Sequence, residues 1–257
     1  MLISTDIFSL KRCGHIHLGE SVEMIKKNRY SENKILTPNE QELLSQKRVA
    51  VIGCGGLGGY AAEELARLGI GELVLCDGDS FVNSNLNRQL MCTEDNIGCS
   101  KAVETAKRLF DVNSEVKTIV KKEYLDEDNA IDILKDCHLV IDAVDDKKAK
   151  LFLEKMCRKL EIPLVHGAVS GWFGQVCTVL PGDETLKTIY GNNLESDDKE
   201  FNGNSAFTPA VIASIQVAEG LKVLTGQEDI LRKKVLFVDL KHCDMQIMEL
   251  SLGEKQE

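Results

Sequence analysis

The sequence predicts an α/β protein with a doubly wound, mainly parallel sheet of the Rossmann type that continues into antiparallel strands in its second half. Between residues 47 and 169, short apolar segments alternate with longer segments of helical periodicity, which is typical of parallel strands joined by crossover helices. A glycine-rich turn, GCGGLGG, directly follows the first strand of this series. After Val169 the alternation stops, and the apolar segment WFGQVCTVLP follows without an intervening helix.

Boundary residues support the individual elements of the first half. Thr37, Pro38 and Glu40 are typical of a helix start, Gly69 of a helix end, and Asp126 could cap a later helix. The predicted strands are RVAVI (48–52), ELVLCD (72–77), VKTIVKKEYL (116–125), HLVIDAV (138–144) and IPLVHGAV (162–169). The predicted helices between them are YAAEELARLG (60–69), SKAVETAKRLFDVN (100–113), DEDNAIDILKD (126–136) and DKKAKLFLEKMCRKL (146–160).

The second half is predicted to hold one long loop, one helix and a terminal strand pair. The polar stretch 182–206 is longer than an ordinary connection, which favours a functional or mobile loop. A helix is predicted over 208–226, followed by the antiparallel pair KVLFVDL and CDMQIMEL.

Residues 1–28 stand apart from these predicted elements. We expect them to form an N-terminal extension, either a disordered arm or a dimer-capping helix, and we expect residues 29–257 to form a single domain.

Composition argues against several classes of protein. The chain has 257 residues and a formal net charge of −10, whereas a nucleic-acid-binding protein normally presents a basic face. The N-terminus lacks the apolar core of a signal peptide, and no run of 18 apolar residues predicts a membrane span, so we expect a cytoplasmic protein without a membrane partner. None of the nine cysteines lies in a C-x-x-C pair, which argues against a disulfide framework and a zinc site.

The glycine-rich turn has the spacing of a nucleotide-binding motif. Gly53, Gly55 and Gly58 match G-x-G-x-x-G between a strand and a helix, where backbone N–H groups can approach a phosphate. Asp77 ends the next strand and is placed to bind a ribose, a role that Asp79 could share. Ribose and phosphate recognition is common to ATP and NAD, so this motif does not distinguish between them.

Polar residues beyond the ribose acid favour ATP. Asn85, Arg88, Gln89 and Lys101 follow the second strand, and Asp145 follows the fourth. Cations directed at phosphates suit a reaction in which an anion attacks the α-phosphate and pyrophosphate leaves, since negative charge develops on those oxygens. A carboxylate at the carboxyl edge of the sheet can help to hold Mg²⁺. We take Arg88, Lys101 and Asp145 as the candidate catalytic residues.

These motifs together resemble the HesA/MoeB/ThiF family, the bacterial relatives of ubiquitin-activating enzymes. The matching segments are VIGCGGLGG, which includes Gly56, then CDGD, NLNRQL, IGCSK, IDAVD and PLVHGAVSGWFGQV. The resemblance extends from about Arg29 to about Leu250. It implies that Asp77 holds the ATP ribose, that Asn85, Arg88, Gln89 and Lys101 bind the phosphates, and that Asp145 binds Mg²⁺.

The resemblance also implies a reaction and its partners. The family adenylates the C-terminal Gly-Gly of a small ubiquitin-like sulfur carrier protein, in sulfur transfer for thiamine or for molybdopterin- or tungstopterin-type cofactors, and its members are typically homodimers. Residues 47–169 would be the nucleotide-binding half and 170–257 the carrier-binding half. Trp172, Phe173 and the helix from Thr208 would then lie beside the path of the carrier.

The chain departs from the family pattern in three places. It lacks the two C-x-x-C pairs that bind structural zinc in many relatives, so no zinc is expected. It has no cysteine between Cys177 and Cys243, where many relatives carry one in a loop, so a separate protein could supply the sulfur. In the arm NRYSENKIL, Glu32 stands where the family has an arginine, and either Arg29 or Lys34 could replace that arginine.

Three alternative functions stay open at this stage. The chain could adenylate another carboxylate, on a small molecule, a peptide or a modified tRNA. It could be a catalytically silent scaffold that binds a carrier, which the glutamate in the arm and the missing loop cysteine would favour. A nicotinamide-dependent dehydrogenase would explain the glycine-rich turn but leaves Arg88, Gln89, Lys101 and Asp145 without a role.

Overall fold

The computed structural model describes residues 29–191, 203 and 205–250. The chain divides into two compact units, Met1–Thr37 and Pro38–Glu257. In the described part of the first unit, the exposed side chains of Lys34 and Glu32 form an ion pair at 3.3 Å. The second unit contains the sheet and all of the candidate site residues. The boundary that the sequence suggests at residue 29 stays a prediction.

The second unit alternates helices and strands before it ends in a strand pair. The helices are α1 (Pro38–Ser45), α2 (Gly56–Leu68), α3 (Lys101–Val112), α4 (Ala130–Leu134), α5 (Lys147–Lys159), α6 (Thr185–Tyr190) and α7 (Phe207–Thr225). The strands are β1 (Arg48–Ile52), β2 (Glu72–Cys76), β3 (Lys117–Lys121), β4 (Leu139–Asp142), β5 (Leu164–Ser170), β6 (Phe173–Val179), β7 (Lys234–Asp239) and β8 (Asp244–Glu249). Two short 3₁₀ turns, Asn83–Asn85 and Glu94–Asn96, lie between β2 and α3.

The strands form one eight-stranded sheet in the order β3-β2-β1-β4-β5-β6-β7-β8. The first five run parallel, and β5 to β8 pair in antiparallel fashion. The chain order reverses direction in the sheet at β1, between β2 and β4, which is the position where open α/β sheets bind ligands. This architecture confirms the predicted fold class.

Helices cover both faces of the sheet, as the term doubly wound requires. α2 packs against α3 and α7 on one face, while α5 packs against α4 and α6 on the other. The central strands are buried, with Val49, Ala50 and Val51 at 0% exposure. These near-continuous apolar strands are expected when parallel strands have helices on both sides.

α7 is a core helix although its composition also suits a membrane. By length and mean hydropathy it is the one helix in the described part of the chain that could cross a bilayer, yet half of the qualifying stretch is buried inside the protein. Its buried polar side chains have partners in the sheet: Gln216 Nε2 donates to the Asp142 carbonyl at 2.9 Å, and Thr178 Oγ1 donates to Glu219 at 2.8 Å.

Two local predictions need correction. Asp126 does not cap a helix directly, because α4 begins only at Ala130 with Asn129 as its N-cap residue. The Asp126 carboxylate instead accepts hydrogen bonds from the N–H groups of Asp128 and Asn129, both at 3.0 Å. Such a turn competes with helix formation. The polar stretch from 182 also contains α6, whereas 192–202 and 204 lie outside the described residues.

Candidate active site

The glycine-rich turn connects β1 to α2 at the carboxyl edge of the sheet. Gly53 has a φ of +92°, a conformation that side chains other than glycine rarely adopt, and a Cβ there would lie 2.6 Å from the Ala143 carbonyl oxygen. A Cβ on Gly58 would lie 1.8 Å from the Gly53 carbonyl oxygen. The turn can therefore form only if both positions lack a side chain, and it places the N-terminus of α2 at the edge where β1 and β4 end.

Asp77 follows β2 and bonds directly to this turn. Its carboxylate accepts hydrogen bonds from the Cys54 N–H and from the Asp79 N–H, both at 2.7 Å. Burial raises the pKa of Asp77, although these two bonds oppose the increase. The pairing of Ile52 with Cys76 explains the contact, since residues after paired strand ends emerge side by side.

Lys101 and Asp79 form an ion pair at the start of α3. Lys101 Nζ donates to Asp79 Oδ2 at 2.7 Å, and the lysine is buried, with 7% of its surface exposed. The phenol of Tyr124 donates to the other oxygen of the same carboxylate. Lys101 first, and then Tyr124, lower the pKa of Asp79, so the carboxylate is ionised at neutral pH.

The NLNRQ segment begins with a 3₁₀ turn and supplies two residues to the site. Arg88 Nη1 donates to the Ser84 carbonyl at 2.7 Å and to Asn87 at 2.9 Å, which fixes one edge of the guanidinium. The buried Gln89 Oε1 has no hydrogen-bond partner among the described residues. Asn85 is buried and its Oδ1 accepts from the Val82 N–H at 3.0 Å, so its side chain closes the turn.

A cleft of about 380 Å³ brings most of the predicted site residues together. Its lining includes Gly53, Gly55, Gly56, Asp77, Asp79, Arg88, Gln89, Lys101 and Asp145. Gly58 and Asn85 do not line it: the first permits the turn, and the second shapes the segment that carries Arg88. Asp145 lines the cleft and is exposed, and the neighbouring Asp146 caps α5 by accepting from the Ala149 N–H at 2.7 Å.

The residues present fit a nucleotide with a divalent cation. An orphaned buried acceptor such as Gln89 Oε1 indicates a ligand that carries a hydrogen-bond donor, and ATP offers hydroxyl and amino groups. Magnesium is usually held by one or two carboxylates together with substrate phosphates. Asp145 suits that role, and the described residues contain no cluster of three metal-ligating side chains that would hold an ion by themselves.

A buried polar network behind the cleft was not predicted. Asp142 accepts hydrogen bonds from Lys150 Nζ at 3.2 Å and from His166 Nδ1 at 2.6 Å, and Asp142 and His166 are fully buried. His166 Nε2 lies 3.0 Å from the Tyr190 hydroxyl. Burial, reinforced by Lys150, lowers the pKa of His166, so the imidazole is neutral beside the ionised Asp142. Asp142 belongs to the IDAVD motif, which was the only sequence signal that could have identified it.

An aromatic cavity lies at the edge of the carrier half proposed from sequence. Trp172, Phe173 and Phe207 line it together with Lys241 and His242. The ring centroids of Trp172 and Phe207 lie 4.8 Å apart. The side chains of Trp172 and Phe173 are about half exposed, at 48% and 49%. Large side chains held together at the surface are typical of a contact site for another molecule.

Comparisons with known proteins identify the family. The family model described as ThiF matches residues 29–257. The chain belongs to the ThiF family. This ThiF-family chain is 32% identical to the SAMP-activating enzyme E1 of Haloferax volcanii, over 85% of this chain and 83% of the relative. It is 31% identical to the sulfur carrier protein ThiS adenylyltransferase of Bacillus subtilis, over 78% of this chain and 62% of the relative.

Solved structures confirm the fold of this ThiF-family chain. The ATP complex of Escherichia coli MccB has a TM-score of 0.76 at 20% identity and covers 88% of this chain and 74% of its own. Escherichia coli tRNA N6-threonylcarbamoyladenosine dehydratase, TcdA, has a TM-score of 0.67 at 26% identity, over 78% of this chain and 95% of its own.

Proposed function

We propose that this chain adenylates the C-terminal glycine of a small ubiquitin-like sulfur carrier protein with ATP. The observation that carries the proposal is the cleft itself, in which the glycine turn and Asp77 are joined by Arg88 and Lys101. A hydride-transfer enzyme needs no such pair of cations, and a scaffold needs no phosphate ligands. The names of the relatives from Haloferax and Bacillus support the same reaction class.

The proposed reaction is an in-line displacement at the α-phosphorus of ATP. A carboxylate oxygen of the terminal glycine attacks the α-phosphorus, the bond to the bridging oxygen of the β-phosphate breaks, and pyrophosphate leaves with its electron pair. The attacking carboxylate is already ionised at neutral pH, so no general base is required. Catalysis then consists of positioning and charge stabilisation.

The polar residues predicted for the cleft each have a role in this proposal. Asp77 accepts hydrogen bonds from the ribose hydroxyls, and the N–H groups at the start of α2 face the phosphates. Arg88 and Lys101 neutralise the charge that develops on the phosphate oxygens, and Gln89 accepts a hydrogen bond from the substrate. Asp145 would hold Mg²⁺, which supplies further charge neutralisation for the departing pyrophosphate.

The sulfur step is proposed to use a separate donor protein. Cys54 is the cysteine in the glycine turn, and burial raises its pKa well above the usual value, so its thiol is a poor nucleophile. Burial also raises the pKa values of Cys76, to about 12, and of Cys137, to about 11. The loop before α7 has no cysteine in its sequence. Among the described residues, the exposed cysteines Cys99 and Cys243 do not line the cleft, so we expect the acyl-adenylate to be the final product of this chain.

ATP–pyrophosphate exchange with Mg²⁺ tests the proposal. With a Gly-Gly-terminated carrier we expect exchange, and Arg88→Ala should lower its rate by roughly 10²–10³-fold, the usual effect of removing one transition-state donor. Arg67→Ala is the matched control, because Arg67 lies at the opposite end of α2 and its partner Glu63 keeps Arg108. ATP binding without exchange for any cognate carrier would instead favour the scaffold.

A second candidate substrate is a carboxylate on a modified tRNA. The likeness to TcdA, at 26% identity, favours this alternative over a carboxylate on a small molecule or a peptide. The net charge of −10 counts against a tRNA substrate. Pyrophosphate exchange that depends on tRNA and not on a Gly-Gly carrier would select the tRNA substrate.

The homodimer, the cytoplasmic location and the absence of zinc stay predictions.

A further inference from the structure

Tyr124 lies over the turn that carries the ribose acid. Its side chain is 67% exposed, yet its ring and its hydroxyl both have defined contacts. A Cβ on Gly78 would lie 2.8 Å from the ring, so the ring covers the peptide between Asp77 and Asp79. The hydroxyl donates to Asp79 Oδ1. Tyr124 is therefore held in one position by contacts at its ring and at its hydroxyl, although most of its surface is exposed.

Asp79 connects Tyr124 to Lys101 by two routes. The Asp79 carbonyl accepts from the Lys101 N–H at 3.0 Å, and Asp79 Oδ2 accepts from Lys101 Nζ at 2.7 Å. The Asp79 N–H is bound to Asp77 at 2.7 Å, so the backbone of the turn is fixed as well. The rotation of the Asp79 carboxylate is the degree of freedom that remains, and the bond from Tyr124 restrains it.

The ammonium of Lys101 keeps donors for a ligand. An ammonium has three N–H donors, and Asp79 is the one hydrogen-bond partner of Lys101 Nζ within the described ranges. Two donors can therefore bind phosphate oxygens while the third stays on the carboxylate. The orientation of these two donors depends on where the carboxylate oxygen lies.

We propose that Tyr124 is a positioning residue that, through the Asp79 carboxylate, directs the Lys101 ammonium at the phosphates of the bound nucleotide. The proposal rests on the ATP site of the proposed function and adds a residue that none of the sequence motifs includes. The phenol hydrogen bond is charge-assisted, and such bonds are stronger and more directional than neutral ones. If this hydrogen bond is lost, Lys101 stays in place, but the Asp79 carboxylate and the Lys101 ammonium bound to it can rotate.

A double-mutant cycle on nucleotide binding tests this role with the full chain. The affinities for ATP with Mg²⁺ and for adenosine are measured by calorimetry or competition for the wild type, Tyr124→Phe, Lys101→Met and the double variant. We expect Tyr124→Phe to weaken ATP binding by about fivefold, less than a direct charge-assisted bond would because the effect reaches ATP only through Lys101, and to leave adenosine binding unchanged. In the Lys101→Met background the same substitution should change ATP affinity by less than about twofold. Tyr60→Phe, on α2, is the control for loss of a phenol.

The outcomes separate the inference from the proposed function. Equal effects of Tyr124→Phe in both backgrounds, or a loss of adenosine binding, would overturn the positioning role and assign Tyr124 to direct nucleotide contact or to folding. A wild type that binds no ATP would overturn the proposed function instead. Normal ATP binding with no effect of Tyr124→Phe would overturn the inference alone.

The pH dependence gives a second readout. Asp79 faces Lys101 from α3, Tyr124 from the segment after β3 and the carboxylate of Asp77 within its own turn. Tyr124 lowers the pKa of Asp79, so Tyr124→Phe raises it. NMR titration of the Asp79 carboxyl should therefore give a higher pKa in the variant than in the wild type. An unchanged pKa would contradict the proposal.

Discussion

At the residue scale, the tightest steric constraint lies at a glycine that does not line the cleft. Gly58 does not line the cleft, yet a Cβ there would meet the Gly53 carbonyl oxygen at 1.8 Å, far inside any van der Waals contact. The obstacle is backbone, which cannot move without opening the turn. The third glycine of the motif is therefore required for the close approach of α2 to β1, whereas Gly53, Gly55 and Gly56 line the cleft.

We predict that Gly58→Ala lowers the free energy of unfolding by about 2–4 kcal/mol, because overpacking against backbone displaces the helix. Urea unfolding measures this. Gly56→Ala is the matched control in the same turn, since its Cβ would meet only Pro209 at an ordinary 3.6 Å and alanine is the better helix former. Equal stability of the two variants would contradict the steric argument.

At the element scale, β4, α5 and β5 are tied together by charge as well as by apolar packing. Lys150 of α5 donates to Asp142 at the end of β4 and to the Gly167 carbonyl of β5 at 3.0 Å. Asp142 also accepts from the Val144 N–H at 3.2 Å, next to Asp145. The network therefore sets the backbone that presents Asp145 to the cleft. Apolar side chains of similar volume could stabilise the fold as well, but could not make these directional contacts.

This network predicts a stability that falls at mildly acidic pH. The pKa of the folded His166 lies below its ordinary value, so below about pH 6.5 the unfolded chain binds a proton that the folded chain does not. Each pH unit then removes up to about 1.4 kcal/mol from the free energy of unfolding until the folded pKa is reached. Between pH 7 and 5.5, the wild type should therefore lose more of its free energy of unfolding than His166→Asn does, by at most about 1.4 kcal/mol per pH unit.

Urea unfolding at the two pH values checks this prediction, with Tyr190→Phe as the control. That variant alters the same network without removing a group that titrates in this range, because burial raises the pKa of Tyr190 far above it. It should keep the wild-type pH dependence. If His166→Asn also kept it, the assignment of the neutral buried imidazole would be wrong.

At the scale of the whole molecule, one sheet presents two surfaces with different chemistry. The carboxyl edge of the parallel strands forms the polar cleft, whereas the β5–β6 turn and the start of α7 form the aromatic cavity. Because α7 runs from that cavity across the sheet, and Pro209 lines the cleft, the two surfaces share one helix. We expect the carrier body to contact the aromatic cavity while its C-terminus reaches the cleft.

Trp172→Ala tests this division. We predict a KM for the carrier that rises by about tenfold or more, as for a central aromatic contact, with an unchanged affinity for ATP. Pyrophosphate exchange at varied carrier concentration measures the first quantity, and calorimetry the second. Phe110→Ala removes an aromatic of similar exposure from α3 and should change neither. A kcat effect without a KM effect would place Trp172 outside the docking surface.

The sequence by itself determined the order of the elements apart from α6, the parallel half of the sheet and most of the predicted site residues that line the cleft. These features depend on local rules: strand and helix periods, glycine conformations and the emergence of parallel strand ends at one edge. Gly53, Asp77 and Lys101 were predicted for that reason, and the comparison with ThiF-family proteins confirmed the family.

Only the tertiary structure decided which side chains meet across the crossovers. His166 and Asp142 are 24 residues apart, and Tyr124 and Asp79 are 45 apart, with no shared motif between them. Such pairs depend on strand register and on how far each strand continues before it turns. Neither is encoded within a local window, because both follow from how all of the helices and strands pack at once.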